Sequence, residues 1–173
     1  MGDRRESVAE FVAVRGRALM RYAYLLSGDA AEDLVQEALV RALARRRQVP
    51  EDPRKLEVYV RRIMVNLVID RSRRAARWHR ALPRLVTASD VRDASGEVCE
   101  RVTLAASLAL LPPRQRACVV MHYYEDLPLV EIAERLGCGI GTVKSQLHDA
   151  RRALAETWGD ARPKSVEATG DPA

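Results

Sequence analysis

The sequence predicts an all-α protein of two small helical domains joined by a flexible acidic linker, with a helix-turn-helix in the second domain. Apolar residues recur at three- and four-residue steps through most of the 173-residue chain, a spacing typical of amphipathic helices. Aromatic residues make up only 5% and hydrophobic residues 47%, which suits helices packed through Leu, Val and Ala better than a β-sandwich. A stretch of turn and acidic residues interrupts the pattern. It divides the chain into domains at 1–80 and 104–158, a linker at 81–103 and a disordered tail at 159–173.

The first domain begins with two predicted helices between Val8 and about Arg47, separated by a break at Ser27-Gly28-Asp29. We expect Ser27 or Asp29 to cap the second helix, and acidic residues in its first turn to favour its positive end. Its inward stripe consists of apolar residues at helical spacing: Leu34, Ala38, Leu39, Ala42 and Leu43. A loop with two prolines, at 48–53, separates it from the third helix.

The third predicted helix runs from Arg54 or Leu56 to Arg77 and carries the net charge of the protein. Its apolar face consists of Val60, Ile63, Met64 and Leu67, and its polar face of Arg62, Asn66, Asp70, Arg73 and Arg77. The chain has a formal net charge of +5, and residues 61–80 alone hold seven arginines and one aspartate, a net of +6. Such a patch is typical of phosphate binding, with a solvated helix side as the alternative.

The second domain contains the most specific local pattern. Helices are predicted over 104–111 and over 114–124 after Pro112-Pro113, with a break at Glu125-Asp126. A short amphipathic helix, the turn Gly137-Cys138-Gly139 and a second helix then follow, and the inward stripe of that second helix is Ile140, Val143, Leu147, Ala150 and Leu154. Ala133 lets the two helices approach, Gly137 accepts a positive φ, and Val143 fixes the second helix in the core. This spacing indicates a DNA-binding helix-turn-helix, although some non-binding helical hairpins share it.

The outward side of the second helix is expected to enter the major groove. Lys144 and Arg152 are candidates for phosphate contacts, and Ser145, Gln146 and His148 for base edges, with Thr142 near the helix start. Asp149 resists close approach to phosphate unless it accepts from a cytosine amine or pairs with Arg152.

Four stretches resemble the extracytoplasmic-function, or group IV, sigma factors of the sigma-70 family. They are AEDLVQEALVRAL at 31–43, YVRRIMVNLVID at 59–70, LPPRQR at 111–116 and EIAERLGCGIGTVKSQLHDARRAL at 131–154. The resemblance covers about residues 8–158 and looks closest to the actinobacterial branch. It implies a subunit that docks on core RNA polymerase, recognises promoter DNA, melts it and permits initiation, with an anti-sigma factor as a further candidate partner.

The resemblance also implies roles for particular residues. It assigns the contact with core polymerase to four residues of the second helix: Asp33, Leu34, Gln36 and Glu37. It assigns recognition of the minus-ten element to the loop 49–57 and to five residues of the third helix: Tyr59, Arg62, Asn66, Arg73 and Arg77. The acidic linker passes near the path of nascent RNA. The resemblance assigns recognition of the minus-thirty-five element to six residues of the last helix: Thr142, Lys144, Ser145, Gln146, His148 and Arg152.

The sequence departs from the family pattern at three positions. Gly139 stands where the family usually has a capping serine, and Gln146 and Asp149 stand where it commonly has basic residues. We therefore expect weaker binding to DNA phosphates.

Other classes of function find less support in the sequence. No run approaches the ~18 apolar residues of a membrane helix and the N-terminus lacks a signal-peptide core, so we expect a cytoplasmic protein without membrane insertion. Cys99, Cys118 and Cys138 show no paired spacing, which favours reduced thiols used in packing. No cofactor, metal site or catalytic cluster is predicted. The alternatives are a helix-turn-helix regulator that is not a polymerase subunit and, less well supported, a metal-assisted nuclease.

Overall fold

A computed structural model describes residues 3–44, 50, 52–81 and 104–160, and side chains within 10–44, 50, 52–78 and 104–158. Every regular element in these ranges is helical, as the sequence predicts. The elements are α1 (Asp3–Ser27), a 3₁₀ turn (Gly28–Ala30), α2 (Ala31–Ala44), α3 (Pro53–Ala81), α4 (Leu104–Ala109), α5 (Pro113–Val119), a π-helical turn (Val120–Tyr124), α6 (Leu129–Leu136) and α7 (Ile140–Asp160).

The break between α1 and α2 forms where predicted, but it is built differently. Gly28 has a φ of +57°, a conformation that favours glycine, and the 3₁₀ turn carries the chain directly into α2. The Ser27 hydroxyl donates to the carbonyl of Ala23 at 2.8 Å, so Ser27 does not provide the predicted cap. A serine near a helix end can bond either backwards or forwards, and here the preceding turn offers the acceptor.

Helix α3 is longer at both ends than the sequence predicts. Asp52 caps it, because its Oδ1 accepts from the backbone N–H groups of Arg54 at 2.7 Å and Lys55 at 3.0 Å. These bonds lower the pKa of the Asp52 carboxyl, with the bond from Lys55 as the largest cause. Pro53 occupies the first helical position, where its missing N–H costs nothing.

The first three helices enclose an apolar core that matches the predicted stripes. Leu34, Val60 and Met64 are fully buried, and Leu19 and Tyr22 of α1 complete the packing. The prediction for Leu43 was wrong, because this residue near the end of α2 is 44% exposed.

Helices α4 to α7 form the second unit, which also follows the prediction closely. Its core includes Leu108, Met121, Ile132 and Leu147, each nearly or fully buried. The prediction for Ile140 was wrong, since this first residue of α7 is 42% exposed. The end of α7 is fixed to α4 by Trp158, whose Nε1 donates to Ser107 Oγ at 2.8 Å.

Some predictions lie outside the described residues: the linker beyond Ala81, the tail beyond Asp160, Arg45 to Arg47, and Cys99. The two units touch along one side, where α1 contacts α4 and α5, and α3 contacts α5.

Candidate nucleic-acid and polymerase interfaces

The outward side of α3 presents the polar residues that the sequence singles out. Arg62, Asn66, Arg73 and Arg77 are exposed, and Asp70 is half-buried beside them. Arg73 Nη1 lies 4.0 Å from Asp70 Oδ1, a weak surface pair. Three further charges on this helix, those of Arg62, Arg74 and Arg77, have no ion pair within the described ranges. This side of α3 can therefore offer free guanidinium groups to phosphates.

Trp78 adds an aromatic group to this surface, and the sequence analysis did not single it out. Its residue is 69% exposed, next to Arg77. A large aromatic ring left in solvent beside unpaired arginines is the combination that single-stranded nucleic acid uses for stacking and backbone contact. The Arg-Trp neighbours at the end of a basic helix were the available signal.

Tyr59, in contrast, is turned partly into the protein. It packs against the core, and its hydroxyl is buried without a hydrogen-bond partner among the described residues. In this conformation the Tyr59 ring is less available to a DNA base than Asn66, whose side chain is exposed.

Not every arginine of the basic segment is unpaired, because two of them bind carboxylates of the protein itself. Arg61 bonds Glu57, and its side chain is only 16% exposed. Arg71 bonds Glu37 on the neighbouring α2. The charge of residues 61–80 is therefore divided between internal pairs and a free outer surface.

The predicted polymerase contact on α2 contains both surface and core residues. Asp33 and Gln36 are exposed, and Glu37 is half-buried, whereas Leu34 is fully buried and holds the helix on the core. Glu37 accepts from Arg71 and from Arg41 at 2.7 Å, and the Arg71 bond is the main cause of the lowered pKa of its carboxyl. Glu37 thus keeps its charge at neutral pH and is tied to two arginines.

The helix-turn-helix has the local geometry that its sequence predicts. Gly137 adopts φ 60° and ψ 46°, and the N–H groups of Gly137 and Cys138 donate to the carbonyls of Glu134 and Ala133 at 3.3 and 3.0 Å. Ala133 of α6 is buried, and Val143 of α7 is fully buried, and the two helices are in contact.

The candidate DNA face of α7 is largely free. Thr142, Lys144, Ser145, His148 and Arg152 are exposed and Gln146 is half-buried. The Ser145 hydroxyl donates to the carbonyl of Gly141 at 3.1 Å. In the first turn of α7, the backbone N–H groups of Thr142 and Val143 donate to the carbonyl of Gly139 at 3.0 and 3.2 Å. Gly139 has no side chain, so it cannot provide a side-chain cap for this helix.

Of the two alternatives considered for Asp149, the ion pair with Arg152 does not form. The ion pair of Arg152 is with Glu156, at 3.9 Å, and both of these side chains are exposed. Asp149 is half-buried and keeps its position on the DNA-facing helix.

A small cavity of about 190 Å³ lies between α3 and the helix-turn-helix. On one side it is lined by Asn66 and Arg73, and on the other by Arg135 and Leu136 of α6. Within the described residues, no cluster of three or more His, Cys, Asp or Glu side chains could hold a metal ion. No helix described there is both long and apolar enough to span a membrane.

Comparison with known families decides the identity of the two units. The family model for sigma-70 region 2 matches residues 11–78, and the one for sigma-70 region 4 matches residues 101–154. The RNA polymerase sigma-E factor of Streptomyces coelicolor is 36% identical over 149 residues, spanning 85% of this chain and 83% of that protein. The chain belongs to the sigma-70 family of sigma factors.

Further relatives place this sigma factor in the extracytoplasmic-function group. The ECF RNA polymerase sigma factor SigL of Mycobacterium tuberculosis is 36% identical over 149 residues, covering 80% of this chain and 81% of that protein. These relatives from Streptomyces and Mycobacterium confirm the actinobacterial resemblance. The chain therefore has the role of a sigma factor in transcription initiation, and the function predicted from its sequence is confirmed.

Two solved structures share the fold. The sigma factor RpoE of Bartonella quintana, crystallised with the anti-sigma factor NepR, matches with a TM-score of 0.57 and 23% identity, over 92% of this chain and 98% of that one. CnrH, solved with the cytosolic domain of CnrY, matches with a TM-score of 0.54 and 24% identity, over 94% and 92% of the two chains. At these identities the likeness confirms the two-domain, all-α architecture.

Proposed function

We propose that this sigma factor divides its work between three surfaces. The outward face of α3 captures the melted minus-ten strand, the exposed side of α2 docks on core RNA polymerase, and the outward face of α7 reads the minus-thirty-five element. The first domain, 1–80, and the second, 104–158, then act on different parts of one promoter, with 81–103 as the linker. The row of unpaired arginines beside Asn66 on α3 is the observation that carries the proposal.

The chemistry of the α3 face suits an opened strand better than a closed duplex. An extruded base needs a group that can both donate and accept hydrogen bonds, and the exposed Asn66 amide does both. Arg62, Arg74 and Arg77 supply positive charge for the strand backbone, and Trp78 offers a ring on which a base can stack.

The other two surfaces are supported by position and exposure. On α2, Asp33, Gln36 and Glu37 form a polar and acidic side above the buried Leu34. On α7, Lys144 and Arg152 flank the exposed His148, so phosphate and base contacts are available on one helix side. The weak cap at Gly139 and the acidic Asp149 favour a modest grip on duplex DNA.

We further propose that the chain acts in the cytoplasm, with core RNA polymerase and promoter DNA as partners and without catalysis of its own. The similar structure from Bartonella quintana is a complex with an anti-sigma factor, and this supports an anti-sigma factor as a further partner here.

Run-off transcription with purified core polymerase and a pool of genomic promoters tests the assignment. We expect a promoter-specific product and co-elution of the chain with the core enzyme. If the chain binds promoter duplex but yields no product and does not co-elute, it is a helix-turn-helix regulator, and the three-surface proposal fails.

Two variants test the α3 face within the same reaction. Asn66→Ala should lose strand opening, monitored with 2-aminopurine in the minus-ten element, while duplex binding is kept; equal loss of both, or of neither, contradicts the role. Arg77→Ala should weaken strand capture, whereas Arg17→Ala should not. Arg17 is the matched control, because it is also exposed and has no ion pair within the described ranges, but lies on α1.

A further inference from the structure

Helices α2 and α3 pack against each other, and one carboxylate at their contact is held from both sides. It belongs to Glu37 of α2, one of the residues of the proposed polymerase contact. Its Oε1 accepts from Arg41 Nη2 at 2.7 Å, one turn further along α2, and its Oε2 accepts from Arg71 Nη2 on α3. Each carboxylate oxygen therefore has its own arginine, and these charged hydrogen bonds fix the carboxylate between the two helices.

Arg71 lies on a different side of α3 from the proposed minus-ten face. It follows Asn66 by five residues, which corresponds to a rotation of about 140° around the helix axis. It follows the buried Leu67 by four residues, so it lies one turn beyond a side chain that packs into the core. Among the residues that the structure describes, its ion pair is with Glu37. This arginine of the basic helix is therefore directed towards α2.

The pair leaves Glu37 reachable for a partner. The side chains of Glu37 and Arg71 are 35% and 43% exposed. A carboxylate can accept about four hydrogen bonds, and each oxygen of Glu37 accepts one from an arginine. The bond from Arg71 is also the largest cause of the lowered pKa of this carboxyl, which favours its ionised form. Glu37 is therefore a charged acceptor with a fixed orientation and with capacity for an incoming donor.

A second residue of the same contact is oriented by a neighbour. Gln36 Nε2 donates to Glu32 Oε1 at 3.2 Å, and both residues are exposed on α2. The bond orients the amide group of Gln36, whose carbonyl oxygen remains an acceptor. Two adjacent acceptors are thus held in place on one surface of α2, and a partner with basic donor groups matches them.

Holding a long side chain in place before docking increases affinity. A solvent-exposed glutamate samples several rotamers, and the entropy lost when one such side chain is immobilised weakens association by about two- to ten-fold. In this protein the bonds from Arg41 and Arg71 order Glu37 when the chain folds. The docked complex then loses less entropy at this position.

We propose that Arg71 is a positioning residue for polymerase docking. It holds Glu37 in the orientation that meets a basic surface of core RNA polymerase, and it does not touch the polymerase itself. The inference rests on the proposed role of α2 as the docking surface. It separates the arginines of α3 by task, since Arg71 supports the contact with the enzyme whereas the outward arginines serve DNA.

The affinity of the labelled full-length chain for core RNA polymerase, measured by fluorescence anisotropy, tests the proposal. Arg71→Ala should weaken binding by about two- to ten-fold, because Glu37 must then be ordered during docking. Arg71→Lys keeps the charge on a flexible stem but lacks the planar fork of arginine, so it should recover part of the loss. An Arg71→Ala chain that binds core polymerase as tightly as wild type would overturn the proposal.

Arg15→Ala is the matched control. Arg15 Nε of α1 lies 3.6 Å from Glu57 Oε2 of α3, so this variant also breaks an ion pair between two helices of the first domain. The side chains of Arg15 and Arg71 are similarly exposed, at 36% and 43%. Circular dichroism and urea unfolding verify that both variants fold, and the affinity for core polymerase should fall only in Arg71→Ala. An equal loss in both variants would mean that Arg71 has a general structural role, contrary to the proposal.

A double-mutant cycle with Glu37→Ala separates positioning from direct contact. Without the carboxylate Arg71 has nothing to position, so adding Arg71→Ala to Glu37→Ala should lower the affinity no further. A second loss as large as that of the single variant would show that Arg71 touches the polymerase, and the positioning role would be wrong.

The same measurements distinguish this inference from the proposed function on which it rests. If Glu37→Ala weakens docking and Arg71→Ala does not, the positioning role fails and the docking surface on α2 stands. If Glu37→Ala leaves the affinity unchanged, the place of Glu37 in the docking surface is wrong, and the positioning role fails with it.

Discussion

The turn of the helix-turn-helix depends on one glycine, and replacing it gives a prediction with a defined magnitude. Gly137 has φ 60° and ψ 46°, and a Cβ added there would meet no heavy atom within 4 Å. Steric clash is therefore absent, and the cost of Gly137→Ala is the backbone penalty of the left-handed conformation, about 1–2 kcal/mol. The comparison is Gly141→Ala in the first turn of α7, where the added methyl group also has open space. Alanine is the better helix former, so this variant should gain up to about 0.5–1 kcal/mol.

Urea unfolding of the two full-length variants, followed by circular dichroism, measures both effects. The free energy of unfolding should fall for Gly137→Ala and rise for Gly141→Ala, with the melting temperature moving by about 2–4 °C for each kcal/mol. Opposite signs are the essential result, because both variants add the same methyl group to open space. A Gly137→Ala protein as stable as wild type would refute the requirement for a positive φ at this turn.

Three further outcomes are expected. Leu147→Ala, at a position only 1% exposed, should lower the free energy of unfolding by about 2–5 kcal/mol, seen as a lower urea midpoint. Cys118 should react with iodoacetamide at pH 8 far more slowly than the partly exposed Cys138, as peptide mass spectrometry would show, because burial raises the pKa of its thiol to about 11. Asp52→Ala should lower the urea midpoint at pH 7, and this difference should fade as the pH falls below the ordinary carboxyl pKa near 3.8. The cap lowers the pKa of Asp52 in the folded chain, so its stabilisation is present above that value and is lost on acidification.

The sequence predicted those features that depend on local spacing. The buried stripe of α3 and the glycine turn before α7 follow from helical periodicity and from the one residue type that adopts a positive φ freely. Asp52 and Pro53 are a recognisable start signal for α3, since a capping residue followed by proline is common at helix starts, whereas the two prolines at 48–53 also predict a loop.

Features that depend on where a helix stands relative to its neighbours were not predictable in the same way. Leu43 and Ile140 lie near helix ends, where periodicity assigns them to the inner stripe although they are 44% and 42% exposed. The inward position of Arg61 depends partly on Tyr124, which lies more than sixty residues away in sequence, and a helical pattern does not reveal such a partner. Long-range contacts of this kind define the domain junction, so the sequence indicated both surfaces without their mutual contact.

The charge of α3 therefore has two different physical roles. Arg61 and Arg71 face carboxylates and aromatic rings within the protein, where their charge is neutralised and contributes to packing between elements. Arg62, Arg74 and Arg77 have no ion pair within the described ranges and keep their full attraction for phosphate. Adjacent residues on a helix are separated by about 100° around its axis, so a single helix can present both sets at once. The paired arginines link α3 to α2 and to the second unit, and the unpaired arginines leave the outward face of α3 free for the proposed contact with DNA.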